Sequence, residues 1–300
     1  MTAKVILNPY SNRWNSKKRW PEAEAALRAA GLDFDVAVSQ KKGQIGELAE
    51  RAVFEEFSPI IVAGGDGSIG DAANGLMHAA GRTKHPLPPL AIMPTGSAND
   101  VAYALGLPTD LREAAKVIGA GKTRAMDLGK LNDRYFVNNS AAGLEPYVTI
   151  KHEKIHRIKG MARYLVAAVQ AIMEKPEWPG RVRWDGGEHT GKFSMISIGN
   201  GRRTGGFFMT PHADPFDGKL TFAFGYRATR LGLFQALPRA FNEDKGSYVE
   251  MEGMSEVHAT RISIHLDKPS PAHTDGELLP TWIQDFEYEI LPGCLTIIVK

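Results

Sequence analysis

The run Ile60-Ile61-Val62-Ala63-Gly64-Gly65-Asp66-Gly67-Ser68 sets three glycines around one aspartate where an apolar strand hands over to a helix. Glycines there leave backbone N–H groups bare. The first N–H groups of the following helix point at the same spot, so the pattern predicts an anion site suited to phosphate. Ser68 would cap the helix or bond a phosphate oxygen. Asp66 places a negative charge in that site, which calls for a cation, and Mg2+ bridging β- and γ-phosphates would supply it. The alternative is an aspartate that only bonds the backbone of its own turn. A ligand-free turn needs one glycine rather than several. Gly65, Gly67 and Gly70 also match the spacing of a dinucleotide fingerprint. That reading fails because the turn follows the third strand and no acidic residue lies about 20 positions on. No Gly-x-x-x-x-Gly-Lys-[Ser/Thr] occurs, which excludes a P-loop NTPase.

Two further acidic pairs stand out. Asp275-Gly276-Glu277 is either a β-hairpin turn, since Asp-Gly is a favoured hairpin dipeptide, or a carboxylate pair for acid–base work. Asp214 and Asp217 share a Pro/Gly loop that suits a hard cation, or two side chains capping their own turns. Asn99-Asp100 opens a helix, where both are good capping residues. Ser39 ends the second strand, at the edge where nucleotides bind in open α/β sheets, or is simply a solvated strand end. His189, His258 and His265 match no zinc spacing. The single cysteine, Cys294, lies in an apolar run and reads as an inert buried thiol.

The elements that must position these residues alternate regularly in the first hundred positions. Strand-like segments at 4–8, 33–39, 60–63 and 90–93 are separated by helical spacing at 16–30, 43–57 and 68–80, and another helix begins at 99–105. This order predicts an α/β fold: a doubly wound parallel sheet with helices on both faces. After position 127 the texture changes. Segments 134–139, 181–184, 192–199, 219–224, 261–266 and 286–291 read as strands in hairpin-like succession, interrupted by helical stretches at 151–175 and 230–241. A last strand, 294–299, is set off by Pro292-Gly293 and is free to join either half. The expectation is a nucleotide-binding domain over 1–127, to which 291–300 can return, a mainly antiparallel β domain over 128–290 that takes the substrate, and a site in the cleft between them. A length of 300 residues suits two domains.

Composition narrows the partners. With 43% hydrophobic and 23% charged residues the chain is globular, and a net charge of +2 is too balanced to indicate nucleic acid. No signal-peptide pattern opens the chain, and no apolar window approaches the ~18 residues of a membrane span. The expected location is cytoplasmic, with transient peripheral membrane contact if the substrate is a lipid. The stretch 151–175 begins with Lys151, His152, Lys154, His156, Arg157, Lys159 and Arg163 and then turns apolar. It suits a helix lying on a membrane surface, or one packed on the β domain.

Gly64-Gly65-Asp66-Gly67-Ser68 followed by Asn74-Gly75-Leu76 resembles the GGDGT…NGL signature of the diacylglycerol kinase catalytic domain family, which includes sphingosine kinases and bacterial lipid kinases. Further segments fall in the family's order: Asn8-Pro9, Pro94-Thr95-Gly96-Ser97-Ala98-Asn99-Asp100, Gly143-Leu144-Glu145, Asp214 to Leu220, and Asp275-Gly276-Glu277. Each is weak alone; in this order they span nearly the whole chain. Ser68 and Ser97 replace the usual threonines and keep the hydroxyl, Val101 replaces a phenylalanine, and the first loop reads Tyr10-Ser11-Asn12. Arg13, Lys17, Lys18 and Arg19 follow that loop as candidates for phosphate charge.

The resemblance implies a kinase that moves the γ-phosphoryl group of ATP, with Mg2+, onto a lipid hydroxyl. It implies nucleotide contacts from Asn8, Ser39, Gly64, Gly65, Asp66, Gly67, Ser68, Ser97 and Asn99. Glu277 would be the base that accepts the hydroxyl proton, Asp275 would support it, and Asp66 would serve the metal. Asp214, Asp217 and the backbone oxygen of Lys219 would hold a structural Mg2+. The acceptor stays open among diacylglycerol, a sphingoid base, phosphatidylglycerol and other lipids, and a homo-oligomer is compatible. The rival readings are an NAD kinase-like enzyme acting on a soluble nucleotide and a catalytically silent nucleotide- or lipid-binding protein.

Overall fold

A computed structural model describes residues 2–12, 14–83, 85–155, 158 and 160–300. Arg13, His156, Arg157 and Lys159, named above for their charge, lie outside the described residues.

The first half alternates strand and helix: β1 (Ala3–Leu7), α1 (Asn15–Ala29), β2 (Phe34–Val38), α2 (Gln44–Phe54), β3 (Ile60–Gly64), α3 (Asp66–Ala80), β4 (Leu90–Pro94), α4 (Asp100–Ala104) and α5 (Leu111–Ala120). β2, β1, β3 and β4 lie side by side in that order, all parallel. β1, β3 and β4 are buried throughout, as apolar strands covered on both faces must be. Their side chains alternate between two cores. Ile6, Ile60, Val62 and Ile92 pack with Ile45 of α2 and Ile69 and Leu76 of α3. Val5, Leu7, Ile61 and Met93 pack with Leu27 of α1 and Leu111 and Ile118 of α5. The helix α5 was not anticipated. Asp110 caps it by accepting from the N–H groups of Arg112 and Glu113, and the Asp-x-x-Glu pattern at its start was the overlooked signal.

Asn74 and Gly75 of α3, part of the family-like signature, turn out to serve the fold. The Asn74 side chain accepts from Tyr135 N at 3.0 Å and donates to Tyr135 O at 2.8 Å, binding that residue as a neighbouring strand would. A Cβ on Gly75 would stand 2.1 Å from the carbonyl oxygen of Gly46, so α2 and α3 touch backbone to backbone.

The second half comprises β5 (Thr123–Leu131), β6 (Arg134–Phe136), β7 (Asn139–Gly143), α6 (Leu144–Lys154), α7 (Gly160–Glu174), β8 (Trp178–Trp184), β9 (Gly187–Phe193), β10 (Met195–Gly199), β11 (Leu220–Gly225), α8 (Arg230–Arg239), β12 (Met254–Ala259), β13 (Arg261–Ser270), β14 (Ala272–Thr274), β15 (Glu277–Leu278) and β16 (Ile283–Ile298). One sheet runs β12-β11-β10-β7-β14-β15. It packs face to face on β13, β8 and β16 through Phe136, Phe193, Phe222, Phe286 and Tyr288. Its other face is covered by α6, α7 and α8 through Leu144, Ala168, Ile172 and Leu233 against Met195 and Ala223.

Several expectations are corrected here. The segment 192–199 is not one strand: β9 and β10 belong to different sheets and break at Ser194. The helical stretch 151–175 is two helices, α6 and α7, the first starting at Leu144. The strand β5 was missed. Segments 286–291 and 294–299 are one strand, because the register shift between Leu291 and Leu295 absorbs Pro292-Gly293. The far end of β16 pairs with β4 in parallel and β5 in antiparallel, so this single strand extends the first sheet into the second half.

Candidate active site

The C-terminal ends of β1, β2, β3 and β4 open toward the β14–β15 hairpin and the start of β7, forming a cleft of ≈ 1420 Å³. Its walls carry Asn8, Ser39, Gly65, Asp66, Gly67, Ser68, Ser97, Asp275 and Glu277, so most of the residues picked from sequence meet in one place. The parallel sheet reverses its winding between β1 and β3, the position where open α/β sheets bind ligands.

Each member is held by its neighbours. Asn8 donates to Ser68 Oγ at 2.9 Å, tying the end of β1 to the first turn of α3. Ser97 donates to Asn12 Oδ1 at 2.9 Å across the mouth. Ser68 N and Ile69 N both bond the carbonyl of Gly65; the N–H groups of Asp66 and Gly67 have no acceptor within their own helix. Gly65 and Gly96 lie against each other, a Cβ on Gly96 falling 2.5 Å from Gly65 Cα. Gly64 and Asn99 stand behind the wall rather than on it. A Cβ on Gly64 would strike Ser68 Oγ at 2.6 Å, and Asn99, in a left-handed conformation, donates to Gly96 O.

Asp66 does not bond its own turn alone. Its Oδ1 accepts from Val101 N at 2.9 Å, capping α4, and burial pushes its carboxyl above the ordinary range. Asp100 lies beside it, ion-paired with Arg203 at 3.1 Å. Burial, and then the Asp66 charge, push Asp100 up to about 6. The capping role foreseen for Asn99 and Asp100 falls to Asp66, since neither of their side chains caps α4; Asp100 instead lines the cleft, accepting from Gly206 N and pairing with Arg203, which was not foreseen at all.

The Asp275-Gly276 pair is a hairpin turn, and the hairpin delivers the carboxylates. Both residues have positive φ, 49° and 79°, as a two-residue turn of this hand needs, and Thr274 pairs with Glu277 across it. The two carboxylates then part ways. Asp275 accepts from the N–H groups of Val137, Asn138 and Asn139 at 2.9, 2.8 and 3.1 Å, which occupies both its oxygens. Its carboxyl is pushed up to about 6 by burial, against the pull of those three donors. Asp275 therefore pins the hairpin to the start of β7. Glu277 reaches the cleft, with Oε2 2.6 Å from Lys42 Nζ. Hydrogen bonding to Glu277 raises the Lys42 ammonium above its ordinary value.

Of the basic residues after the first loop, Lys17, Lys18 and Arg19 do not line the cleft; Arg19 bonds the carbonyl of Pro94 at 3.2 Å instead. Cleft cations come from elsewhere: Lys41, Lys42, Arg163 and Arg203. Asp214, Asp217 and Lys219 lie on an exposed loop away from the cleft lining. Asp214 and Asp217 each accept from the N–H two residues on, at 3.0 and 2.9 Å, as self-capping turns do. Buried Asp127, not picked from sequence, anchors that loop by accepting from Gly218 N and Gly293 N at 2.6 and 2.8 Å.

Beyond the hairpin, an apolar cavity opens among α6, α7, α8 and β10, lined by Leu144, Val148, Ala168, Ile172, Met195 and Leu233. Tyr164 lines both this cavity and the cleft.

Comparison with known proteins decides which family owns this arrangement. A family model described as the diacylglycerol kinase catalytic domain matches residues 2–131, and one described as the YegS C-terminal NAD kinase beta sandwich-like domain matches residues 138–299. A protein named diacylglycerol kinase from Staphylococcus aureus (strain MRSA252) is 31% identical over 92% of this chain and 85% of its own. The chain belongs to the diacylglycerol kinase family. A second member of the family, diacylglycerol kinase from Staphylococcus carnosus (strain TM300), is 28% identical over 92% of this chain and 88% of its own. A crystal structure of a diacylglycerol kinase from Bacillus anthracis str. Sterne has the same fold, with a TM-score of 0.74 at 21% identity over 100% of this chain and 97% of that one. The family's parallel-sheet half and antiparallel β half are both present. Among the described residues no helix is long and apolar enough to cross a membrane.

Proposed function

We propose that the chain is an ATP-dependent lipid kinase, transferring the γ-phosphoryl group of ATP to a lipid hydroxyl with Glu277 as the general base. The observation that carries this reading is the meeting of three parts in one cleft. A glycine turn at a helix start offers bare N–H groups. A carboxylate, Glu277, stands over Gly67. An apolar cavity adjoins the far wall at Tyr164.

The residues present suit a nucleotide and its cation. The N–H groups of Asp66 and Gly67 and the Asn8–Ser68 pair cradle phosphate oxygens. Asp66 and Asp100 bring buried carboxylates to the same end of the cleft, and burial pushes each up from its ordinary value. Among the described residues no group of three or more acidic, histidine or cysteine side chains could hold a metal by itself. A cation bound between Asp66 and Asp100 would complete its shell with phosphate oxygens and water, as Mg2+ commonly does. Mg2+, when bound, neutralises the charge on the β- and γ-phosphates. Asp66 and Asp100 would hold it. On the exposed loop, Asp214, Asp217 and the Lys219 carbonyl would be the oxygen ligands of a structural Mg2+.

Glu277 accepts the proton of the lipid hydroxyl as that oxygen bonds the γ-phosphorus and the bond to the departing ADP oxygen breaks. Lys42 pairs with Glu277 at the cleft beforehand, and phosphate oxygens then compete for its ammonium. The polar wall keeps the reacting end wet and positioned, while the cavity takes apolar chain. Val169 and Met173 of α7 and Leu231 of α8, 42%, 53% and 66% exposed, lie on the helices that line the cavity. They form the face through which a lipid would be drawn from a membrane.

The test is transfer of labelled γ-phosphate to a panel of lipids in mixed micelles, with NAD as a soluble acceptor and Glu277→Ala as control. Label on a lipid that disappears in the variant supports the reading. Label on NAD alone moves the chain to a nucleotide kinase, and nucleotide binding without any transfer makes it a silent binder.

A further inference from the structure

Between the cleft and the apolar cavity stands a buried polar knot that phosphoryl transfer leaves unused. Its centre is Glu145 at the start of α6, which lines the cavity and is 5% exposed. Three side chains converge on its carboxylate. Ser197 donates to Oε2 at 2.7 Å, Asn139 donates to Oε1 at 3.2 Å, and His273 Nε2 lies 3.0 Å from Oε1. A carboxylate that already takes donors from Ser197 and Asn139 is an acceptor, so His273 turns its Nε2–H toward it. In the neutral imidazole this leaves Nδ1 of His273 as an acceptor, beside Oδ1 of Asn139.

Neither atom has a hydrogen-bond partner, although His273 and Asn139 are only 1% and 2% exposed. Buried polar atoms are seldom left so, because the lost hydration is not replaced. Both residues line the cleft. His273 sits in β14, on the strand that leads into the hairpin carrying Glu277. The order along the wall is apolar cavity, Glu145 with its paired acceptors, then Glu277. A lipid laid along that wall, with its chain in the cavity and its reacting hydroxyl at Glu277, passes its intervening polar group over two unsatisfied acceptors. An ester carbonyl there would add a third acceptor; a hydroxyl or amine would satisfy the site.

We propose that His273 and Asn139, both anchored on Glu145, form a recognition site for a hydrogen-bond donor that the acceptor lipid carries beside the hydroxyl to be phosphorylated. The site rests on the lipid-kinase reading. It selects single-chain lipids with two neighbouring donors, a diol or an amino alcohol, and Glu145 acts as its positioning residue.

The experiment compares two acceptors that differ in one group: 1-oleoylglycerol, and the oleoyl monoester of propane-1,3-diol, which lacks only the neighbouring hydroxyl. Transfer of labelled γ-phosphate is measured for the wild type and for His273→Gln. Glutamine keeps a donor for Glu145 and replaces the ring acceptor Nδ1 by an amide oxygen at a different position. The wild type is expected to favour the glycerol lipid by about tenfold in KM, the worth of one buried hydrogen bond. In His273→Gln the two lipids become equal, while the KM for ATP and the melting temperature stay at wild-type values. Equal use of both lipids by the wild type overturns the proposal, and so does a preference that survives in His273→Gln. If only diester lipids are labelled, the proposal falls and the lipid-kinase reading stands. If no lipid is labelled, both fall. Should His273→Gln fail to fold, Asn139→Ser, which removes Oδ1 and leaves the backbone bonds to Asp275, is read by the same criterion.

Discussion

A Cβ built on Gly67 would stand 3.0 Å from Oε1 and 3.1 Å from Cγ of Glu277. The third glycine of the turn after β3 is thus also the seat of the proposed base. Three residues on, the same holds for Asp275, whose Oδ2 lies 2.3 Å from where a Cβ on Gly70 would be. The β14–β15 hairpin lies against α3 along a groove that these two glycines leave open.

The two glycines should respond differently to alanine. In Gly67→Ala the new methyl meets the end of a flexible, one-third exposed side chain, which swings away. Stability should be little changed, while kcat falls by on the order of 100-fold because the carboxylate is displaced. In Gly70→Ala the methyl meets Asp275, which three backbone donors hold in place. That variant should lose about 1–3 kcal/mol of stability in urea unfolding. A fully active Gly67→Ala protein would show that the glycine does not seat a catalytic group.

Glu277→Gln removes the proposed proton acceptor and keeps the shape. Lipid phosphorylation should fall by roughly 10²–10⁴-fold with nucleotide binding retained. Lys42→Met breaks the same pair from the other side. Because the Lys42 side chain is 79% exposed, stability should move by less than about 1 kcal/mol. Its effect belongs in KM for ATP, measured by titration at low salt; an unchanged KM would remove Lys42 from the phosphate site.

Asp100 sets a pH dependence with a definite sign. Its carboxyl is pushed from 3.8 to about 6 in the folded protein. Between those values the native state binds more protons than the unfolded one, so this group makes stability fall as pH rises, by at most about 1.4 kcal/mol per pH unit. Below the window it contributes nothing, and above about 6 the penalty is complete. Urea unfolding of wild type and Asp100→Asn from pH 4 to 7 should show the variant gaining on the wild type as pH rises. A constant difference would place the Asp100 carboxyl at its ordinary value.

Gly75→Ala should destabilise without touching the cleft. Its methyl would fall 2.1 Å from the carbonyl of Gly46, and neither backbone can yield without moving α2 off α3. A loss of about 1–3 kcal/mol or more is expected. Retained nucleotide affinity in the folded fraction would confirm that this part of the signature belongs to packing.

Much of the molecule was legible in the chain because it is written locally. Apolar runs ending in Asn8, Ser39, Gly64 and Pro94 state where parallel strands stop, and a strand end is where a doubly wound sheet binds. The Asp-Gly dipeptide states a hairpin. Where local signals conflict with long pairing, reading failed. Pro292-Gly293 marks a break, yet β16 runs through it because β5 pairs with both sides and a shift in register takes up the strain.

Tertiary structure alone decided the rest. Which side chains fill the space left by Gly67 and Gly70, that Arg203 answers Asp100, that Lys42 faces Glu277, and that Asn139 and His273 share one carboxylate all depend on elements far apart in sequence being brought edge to edge. Periodicity and turn chemistry specify where an element begins and which face is apolar. They carry no record of which distant polar atom it will meet, because that is set by how two independently formed sheets pack. From sequence, then, came the doubly wound sheet, its glycine turn and the candidate base; from packing came the partners that tune them.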